Sequence, residues 1–195
     1  MHPIDVLMDE HRTIESVLDS LCLFARTTLE EADDQRSVLA QFVELLRMFD
    51  ELHHMKEEDM LFERMLHNGF PRDNGPLAIM LADHKTCREL VSTLAGLAEQ
   101  AEAWTGENHL MLHEAATEYT LLLKSHIAKE DNVLYPMSQR FLPPEQWAGL
   151  DRSFDEFEKK WESDGKLADF RGRVSALREA WPATDGPTPA DGCGM

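Results

Sequence analysis

Long apolar runs are missing from this chain. No stretch approaches the roughly 18 apolar residues that a membrane-spanning helix needs, and the opening MHPIDVLMDEHRTIESVL becomes charged almost at once. That opening lacks the apolar core and small-residue cleavage site of a secretory signal. Cysteines are scarce too: Cys22, Cys87 and Cys193 are odd in number and widely spaced, which is typical of reduced thiols. Together these absences predict a cytoplasmic protein with no membrane partner.

Basic residues are also few. The chain has 19 Lys and Arg against 37 Asp and Glu, which gives a formal net charge of −18 at pH 7. DNA, RNA and anionic lipid surfaces attract clustered Lys and Arg. The composition therefore predicts that nucleic acid is not a partner, and an acidic surface of this kind ordinarily serves solubility.

Sustained period-two alternation, the pattern of a half-buried strand, is absent as well. Instead, apolar residues recur at steps of three and four in four series, which start at Ile4, Leu39, Leu77 and Leu112. Short breaks near residues 30–34, 68–76 and 104–108 separate the series. A chain of 195 residues is long enough for one domain with a sizeable core. We therefore predict an all-α fold, an antiparallel up-down-up-down four-helix bundle over residues 1–141.

The remaining residues differ in composition from the bundle. Residues 142–181 contain the more polar stretches EQWAGLDRSFDEFEKKW and KLADFRGRVSALREAW, which predict one or two accessory C-terminal helices packed on the bundle. Residues 182–195 are rich in Pro, Gly and Asp and predict a disordered tail. Cys193 lies in that tail, and we interpret it as an unpaired thiol rather than a redox group.

The two halves of the bundle repeat each other. A shift of 73 positions places His11 on His84 and His53 on His126. The glutamate four residues after His53 then falls on the glutamate four residues after His126. Within each half the two histidines are 42 residues apart. In each half, about 19 helical residues run from the first histidine to the turn and about 19 run back, and each residue rises about 1.5 Å along the helix axis. The second histidine therefore returns to the height of the first. The repeat therefore predicts four imidazoles at one level of the bundle.

The spacing His-x-x-x-Glu adds carboxylates at the same level, because residues four apart share a helical face. Buried without partners, these ionisable groups would cost several kcal/mol each, whereas metal coordination uses neutral imidazole and ionised carboxylate. Six ligands are too many for one tetrahedral zinc. They fit two metals, each with two histidines, bridged by both carboxylates, although the spacing does not select the metal. The predicted metal ligands are His11, His53, Glu57, His84, His126 and Glu130.

An alternative register remains open from the residues alone. His54 stands four before Glu58, just as His53 stands four before Glu57, and Asp131 follows Glu130 directly. The match between the two halves favours Glu57 and Glu130 as the bridging carboxylates.

Several other residues are weaker candidates. Tyr119 lies seven before a predicted ligand and is either a redox residue or a core tyrosine. Glu10 and Asp83 directly precede predicted ligands, so they either orient ligands or are solvated helix charges. His109 and His113 have the spacing of a metal pair, but they lie off the ligand face and have no counterpart in the first half. We therefore predict both histidines to be surface residues.

The motifs EHRT, HHMKEEDMLF, DHKT and HIAKEDNVLYP together resemble the hemerythrin family, in its bacterial hemerythrin-like (HHE cation-binding) branch, over roughly residues 4–141. The resemblance implies a non-haem di-iron centre. It implies two Fe ions, Glu57 and Glu130 as bridges, and a solvent-derived third bridge. It also implies O2, H2O2 or NO as the small-molecule ligand.

One departure from the family affects the functional expectation. Oxygen-carrying hemerythrins have a further histidine four residues after the third ligand, and this chain has Arg88 there. We therefore expect an exchangeable position on each metal and a protein that binds and reduces O2 or peroxide. The alternative is a non-enzymatic module that senses iron, oxygen or nitric oxide, or donates iron for iron–sulfur repair. A third interpretation is a structural bundle with adventitious zinc.

Overall fold

Six helices make up the part of the protein that the computed structural model describes, residues 2–31 and 34–182, and no strand occurs in it. The four-helix bundle and its accessory helices are confirmed. The predicted tail, 182–195, lies outside the described residues apart from Pro182. The helices are α1 (Pro3–Glu31), α2 (residues 36–67), α3 (Pro76–Ala98), α4 (residues 106–141), α5 (Pro144–Ser163) and α6 (Lys166–Ala180).

Local chemistry accounts for several helix ends. α3 starts with Pro76 in its first turn, where the missing N–H has no intrahelical acceptor to lose. α4 starts with a capping box between Thr105 and Asn108. α5 and α6 are joined through Gly165, whose φ of 74° lies in the left-handed region that glycine adopts without a steric penalty. The junctions are therefore tight, and they keep consecutive helices close together.

Two of the bundle helices contain π-helical turns. α2 is π-helical over Asp50–His54 and Glu57–Phe62, and α4 over Glu130–Leu134. A π-turn inserts one extra residue into the helix and rotates the neighbouring side chains relative to an ordinary α-helix. All three π-turns coincide with predicted ligand positions. Apolar periodicity does not predict them.

The core is divided into two apolar clusters. One contains Ile14, Phe42, Leu94 and most of the core on the side of the α1–α2 and α3–α4 turns. The other surrounds Leu7 and includes the start of α3 and the end of α4. His11 lies between Leu7 and Ile14 along α1. The predicted ligands thus form a polar layer that is enclosed by apolar packing above and below.

The accessory helices pack on one side of the bundle. α6 contacts both α1 and α2, and α5 contacts α1 and the second π-turn of α2. Phe170 meets Phe49 edge-on at 4.9 Å between ring centroids, and Trp181 meets Phe24 at 5.1 Å. These contacts cover the groove between α1 and α2. No helix among the described residues is both long and apolar enough to cross a membrane.

Candidate metal centre

The polar layer brings all six predicted ligands together in the middle of the bundle. Each is at most 1% exposed. Two groups of four residues have ligand atoms within 4.8 Å of one another, and Glu57 belongs to both groups. The first group is His11, His53, Glu57 and Glu130, and the second is His54, Glu57, His84 and His126.

The imidazoles meet in pairs through their Nε2 atoms. The Nε2 atoms of His11 and His53 are 2.9 Å apart, and those of His84 and His126 are 3.0 Å apart. With metal–nitrogen bonds of about 2.1 Å, two neighbouring nitrogens at a right angle on one metal are about 3.0 Å apart. The spacing of each pair therefore fits one metal ion.

The carboxylate oxygens lie between the pairs. Glu57 Oε2 is 3.7 Å from His53 Nε2 and 3.4 Å from His84 Nε2, and Glu130 Oε2 is 3.3 Å from His11 Nε2 and 3.1 Å from His126 Nε2. Each glutamate thus contacts one imidazole from each half of the bundle.

These carboxylates are buried and underpartnered. Burial by itself raises the pKa of Glu57, but attraction to His53 and His84 outweighs it and holds the pKa well below its ordinary value. Within the described residues, Glu57 Oε2 and both oxygens of Glu130 are buried without a hydrogen-bond partner. Such orphaned oxygens are costly in a protein interior. A pair of cations between the imidazoles would satisfy them, so the donor set fits a two-metal centre.

Each of the four imidazoles has a carboxylate on its outer nitrogen, Nδ1. A carboxylate only accepts hydrogen bonds, so Nδ1 carries the proton and, in the neutral ring, the Nε2 lone pair faces inward as a ligand. The pairs are His11 with Asp131 (2.7 Å), His53 with Glu10 (2.8 Å), His84 with Glu58 (2.7 Å) and His126 with Asp83 (3.3 Å).

The structure therefore separates the acids that sequence alone left ambiguous. Glu58 and Asp131 lie on the outer side, each against a histidine of the opposite half. Glu57 and Glu130 face inward. Glu10 and Asp83 contact histidines, which agrees with the interpretation that they orient ligands. Each contacts the histidine on the other helix of its hairpin, and not the histidine that follows it in sequence.

A cation stands behind each outer carboxylate. The sequence analysis does not predict this role for the cations. A signal was available, because Lys56 and Lys129 are 73 positions apart and each stands three residues after a predicted ligand histidine. Lys56 is fully buried and bonds both Glu10 and Glu158 of α5. The other contacts are Lys129 with Asp83, Arg88 with Glu58, and Arg12 with Asp131.

His54 is a third imidazole in the second group, in addition to the two histidines expected for each metal. Its ring stacks on His84 at 3.8 Å between centroids, and its Nδ1 lies 2.7 Å from Asp50 Oδ1. Burial, reinforced by repulsion from His84, lowers the pKa of His54 to about 4, so the ring is neutral. Arg88 bonds Asp50. Arg88 thus holds the carboxylate that in turn orients the His54 ring.

The signal for His54 was weak in the sequence. Neighbouring residues on an α-helix point about 100° apart, so an ordinary α-helix would not direct His53 and His54 into one site, and the match between the halves favours His53. The π-turn Asp50–His54 removes that conflict and lets both side chains be buried. The repeat gave no help, because Ile127 stands at the corresponding place in the second half.

Tyr135 is a further residue that the sequence analysis did not select. It is fully buried, and its hydroxyl donates to Glu57 Oε1 at 2.5 Å. Its ring stacks on His11 at 5.5 Å, and its Oη lies 3.3 Å from His11 Nε2. Tyr119, for which the sequence allows a redox role or a core role, is buried in the core and lines a cavity beside His54.

The prediction that His109 lies on the surface is wrong. Its exposure is 3%, and its ring packs edge-on against Trp104 at 5.3 Å. Trp104 folds back to donate a hydrogen bond to the Leu97 carbonyl, and so covers this face at the start of α4. His113 is only partly buried. Within the described residues, neither histidine belongs to a group able to hold a metal.

A cavity of about 190 Å³ opens beside the second group. His54 is the only member of either group that lines it, along with Asp50 and Arg88. Most of the remaining wall is apolar and includes Ile14, Phe49, Cys87, Val91 and Leu123.

The bundle, the repeated His-x-x-x-Glu pairs and the buried donor set define a helical metal-binding domain. The model of the Hemerythrin HHE cation binding domain matches residues 2–138, and the chain belongs to that family. It is also 28% identical over 158 residues to the iron-sulfur cluster repair protein YtfE of Edwardsiella ictaluri (strain 93-146), covering 68% of this chain and 72% of that protein. No solved structure matches the chain.

Proposed function

We propose that this protein holds two iron ions in a non-haem di-iron centre, with a solvent-derived bridge, and reduces O2 or peroxide there. The observation that carries the proposal is the pair of buried imidazole groups with Glu57 shared between them. His11 and His53 would hold one iron, and His54, His84 and His126 the other. Glu57 and Glu130 would bridge the two.

The donor chemistry favours this assignment over zinc. At the second metal, three imidazoles and the two shared carboxylates would make five ligands, one more than a closed tetrahedral zinc site uses. Imidazole and carboxylate together suit iron, and the family is described as a cation-binding domain. Bound iron would supply two electrons to a small oxidant.

The chain's own residues set the conditions for that chemistry. Outer carboxylates hold the imidazoles in the tautomer that presents Nε2 to the metal. Burial of both groups excludes bulk water. The cavity beside His54 has the size and apolar wall for a diatomic molecule or peroxide, but not for a large substrate.

Metal analysis followed by stopped-flow spectroscopy tests the proposal. The purified protein should contain two irons per chain, and the reduced protein should be oxidised by O2 and should consume H2O2. Reoxidation should not reverse when O2 is removed under argon. Full return of the reduced spectrum without peroxide turnover would identify a reversible carrier instead. Zinc in place of iron would support a structural bundle.

A second candidate function is iron donation or sensing without catalysis. It is favoured by the likeness to an iron–sulfur cluster repair protein. A transfer assay separates it from the first. Iron-loaded protein is mixed with an iron–sulfur protein stripped of its cluster, with sulfide present and a chelator as competitor. If the cluster forms faster than the chelator captures the iron, and if peroxide consumption is negligible, the donor function is favoured.

A further inference from the structure

One hydroxyl group distinguishes the two aromatic rings that cover the halves of the centre. The shift of 73 positions that relates Glu57 to Glu130 also places Phe62 on Tyr135. Phe62 stacks on His84 at 6.1 Å and 15°, and Tyr135 stacks on His11 at 5.5 Å and 8°. The two rings therefore cover corresponding imidazoles, and only the ring in the second half carries an oxygen.

That oxygen changes the surroundings of one carboxylate. Tyr135 donates to Glu57 Oε1 at 2.5 Å, whereas both oxygens of Glu130 lack a hydrogen-bond partner among the described residues. Phe62 offers no donor to Glu130. The carboxylates that face each other across the centre are consequently unequal, although the sequence around them repeats.

Resting on the di-iron centre proposed above, we infer that Tyr135 is a positioning residue that makes the two carboxylate bridges inequivalent. Its hydroxyl fixes the rotation of Glu57 and withdraws negative charge from that carboxylate. A carboxylate that accepts a strong hydrogen bond donates less charge to a metal, so the contact favours the ferrous state. Glu130, without such a donor, keeps its full charge and favours the ferric state.

The conservative variant Tyr135→Phe removes the hydroxyl and keeps the ring. Its iron content should remain at two, and its ferric-to-ferrous ratio at one fixed ambient potential should rise about tenfold, the equilibrium factor of a charge-assisted hydrogen bond at the weak end of its range. Thr28→Val is the matched control, because it removes a buried hydroxyl that bonds the Phe24 carbonyl and not a carboxylate of the centre. That control should leave the ratio unchanged.

The reciprocal variant Phe62→Tyr tests the same idea in the other direction. The repeat places its new hydroxyl toward Glu130, so the ratio should fall. This variant also carries the test if Tyr135→Phe does not fold, which circular dichroism would show.

Three results would overturn the inference. A ratio unchanged in both variants would show that Tyr135 only packs. A phenolate-to-iron absorption band in the wild type that disappears in Tyr135→Phe would make Tyr135 a ligand and not a hydrogen-bond donor. A wild-type protein that binds no iron would overturn the di-iron proposal itself, and this inference with it.

Discussion

Glu57 and Glu58 are adjacent acids with opposite surroundings. Glu57 is fully buried between imidazoles of both halves, whereas Glu58 lies farther out against His84 Nδ1 and Arg88. Of these two acids, only Glu57 belongs to both groups of candidate ligands. Glu58 acts on the centre indirectly, through the orientation of His84.

The first prediction separates these two roles. Glu57→Ala should reduce iron well below two per chain, because it removes a ligand shared by both groups. Glu58→Ala should retain two irons at saturation with an affinity about 10–100-fold weaker, since it removes only an orienting contact. Metal titration with a competing chelator measures both. An empty Glu58→Ala protein beside a full Glu57→Ala protein would place the bridge one residue later.

The two lysines behind the ligand histidines provide a second comparison. Lys56 is fully buried between Glu10 and Glu158, whereas the Lys129 side chain is 38% exposed beside Asp83. Lys56→Met leaves the partly buried Glu10 without its cation and should cost about 1–3 kcal/mol. Lys129→Met should cost less than about 1 kcal/mol. Urea unfolding of the metal-free variants tests this, and equal losses would contradict it.

Histidine pKa values predict how the metal-free protein responds to pH. Burial lowers the pKa of His11 and His84, but their acidic neighbours outweigh it and raise the pKa to about 9 and about 10. The stability that protonated His11 and His84 contribute is complete below the pKa of about 6.5 in the unfolded chain. It is lost as pH rises through their pKa values in the folded protein. The pKa of His54, lowered to about 4, acts oppositely and costs stability as pH falls from about 6.5 to 4.

Stability of the metal-free protein should therefore peak near pH 6.5 with respect to these three groups. Thermal unfolding at intervals from pH 4 to pH 10 measures the profile. His54→Gln should flatten the acid side, because it removes the group that must be protonated on unfolding. A profile that rises steadily toward pH 10 would contradict the assignment for His11 and His84.

At the scale of the element, the π-turns decide which side chains can enter the centre. The turn Asp50–His54 contains one residue more than an α-helical turn would need. Deleting Glu51, an exposed residue within it, should restore an α-helix while residues before and after keep their places. His53 and His54 could then no longer both point inward.

The Glu51 deletion should consequently keep its helical circular dichroism and lose iron from at least one position. Glu51→Ala is the control, because it preserves the chain length and removes only a surface contact with Lys166. Full iron content in the deletion variant would show that the π-turn is not needed.

Sequence reasoning was accurate where a single periodicity governs the chain. Steps of three and four predicted the helices, and the repeat predicted that the six selected side chains lie together. It was inaccurate where neighbouring helices decide local geometry. The place of His54 depends on a π-turn, that of the Tyr135 hydroxyl on Glu57 of another helix, and the burial of Lys56 on Glu158 of an accessory helix.

At the scale of the whole molecule, folding and metal binding should be coupled but separable. Two apolar clusters enclose the polar layer, and neither contains a candidate metal ligand. The chelated protein should therefore stay helical while its melting temperature falls, since iron binds only the folded chain. Circular dichroism with and without chelator tests this. A random-coil spectrum after chelation would mean that the metal organises the fold.

The hydrogen bonds to the ligands also cross between the halves of the molecule. Asp131 of the second half orients His11 of the first, and Glu58 of the first half orients His84 of the second. Each hairpin thus completes the other, and neither contains a whole centre. Cutting the exposed connection between Asp73 and Asn74 should yield two fragments that are inactive apart and regain iron only when recombined. The centre is a property of their association, as a shared active site is in a two-subunit enzyme.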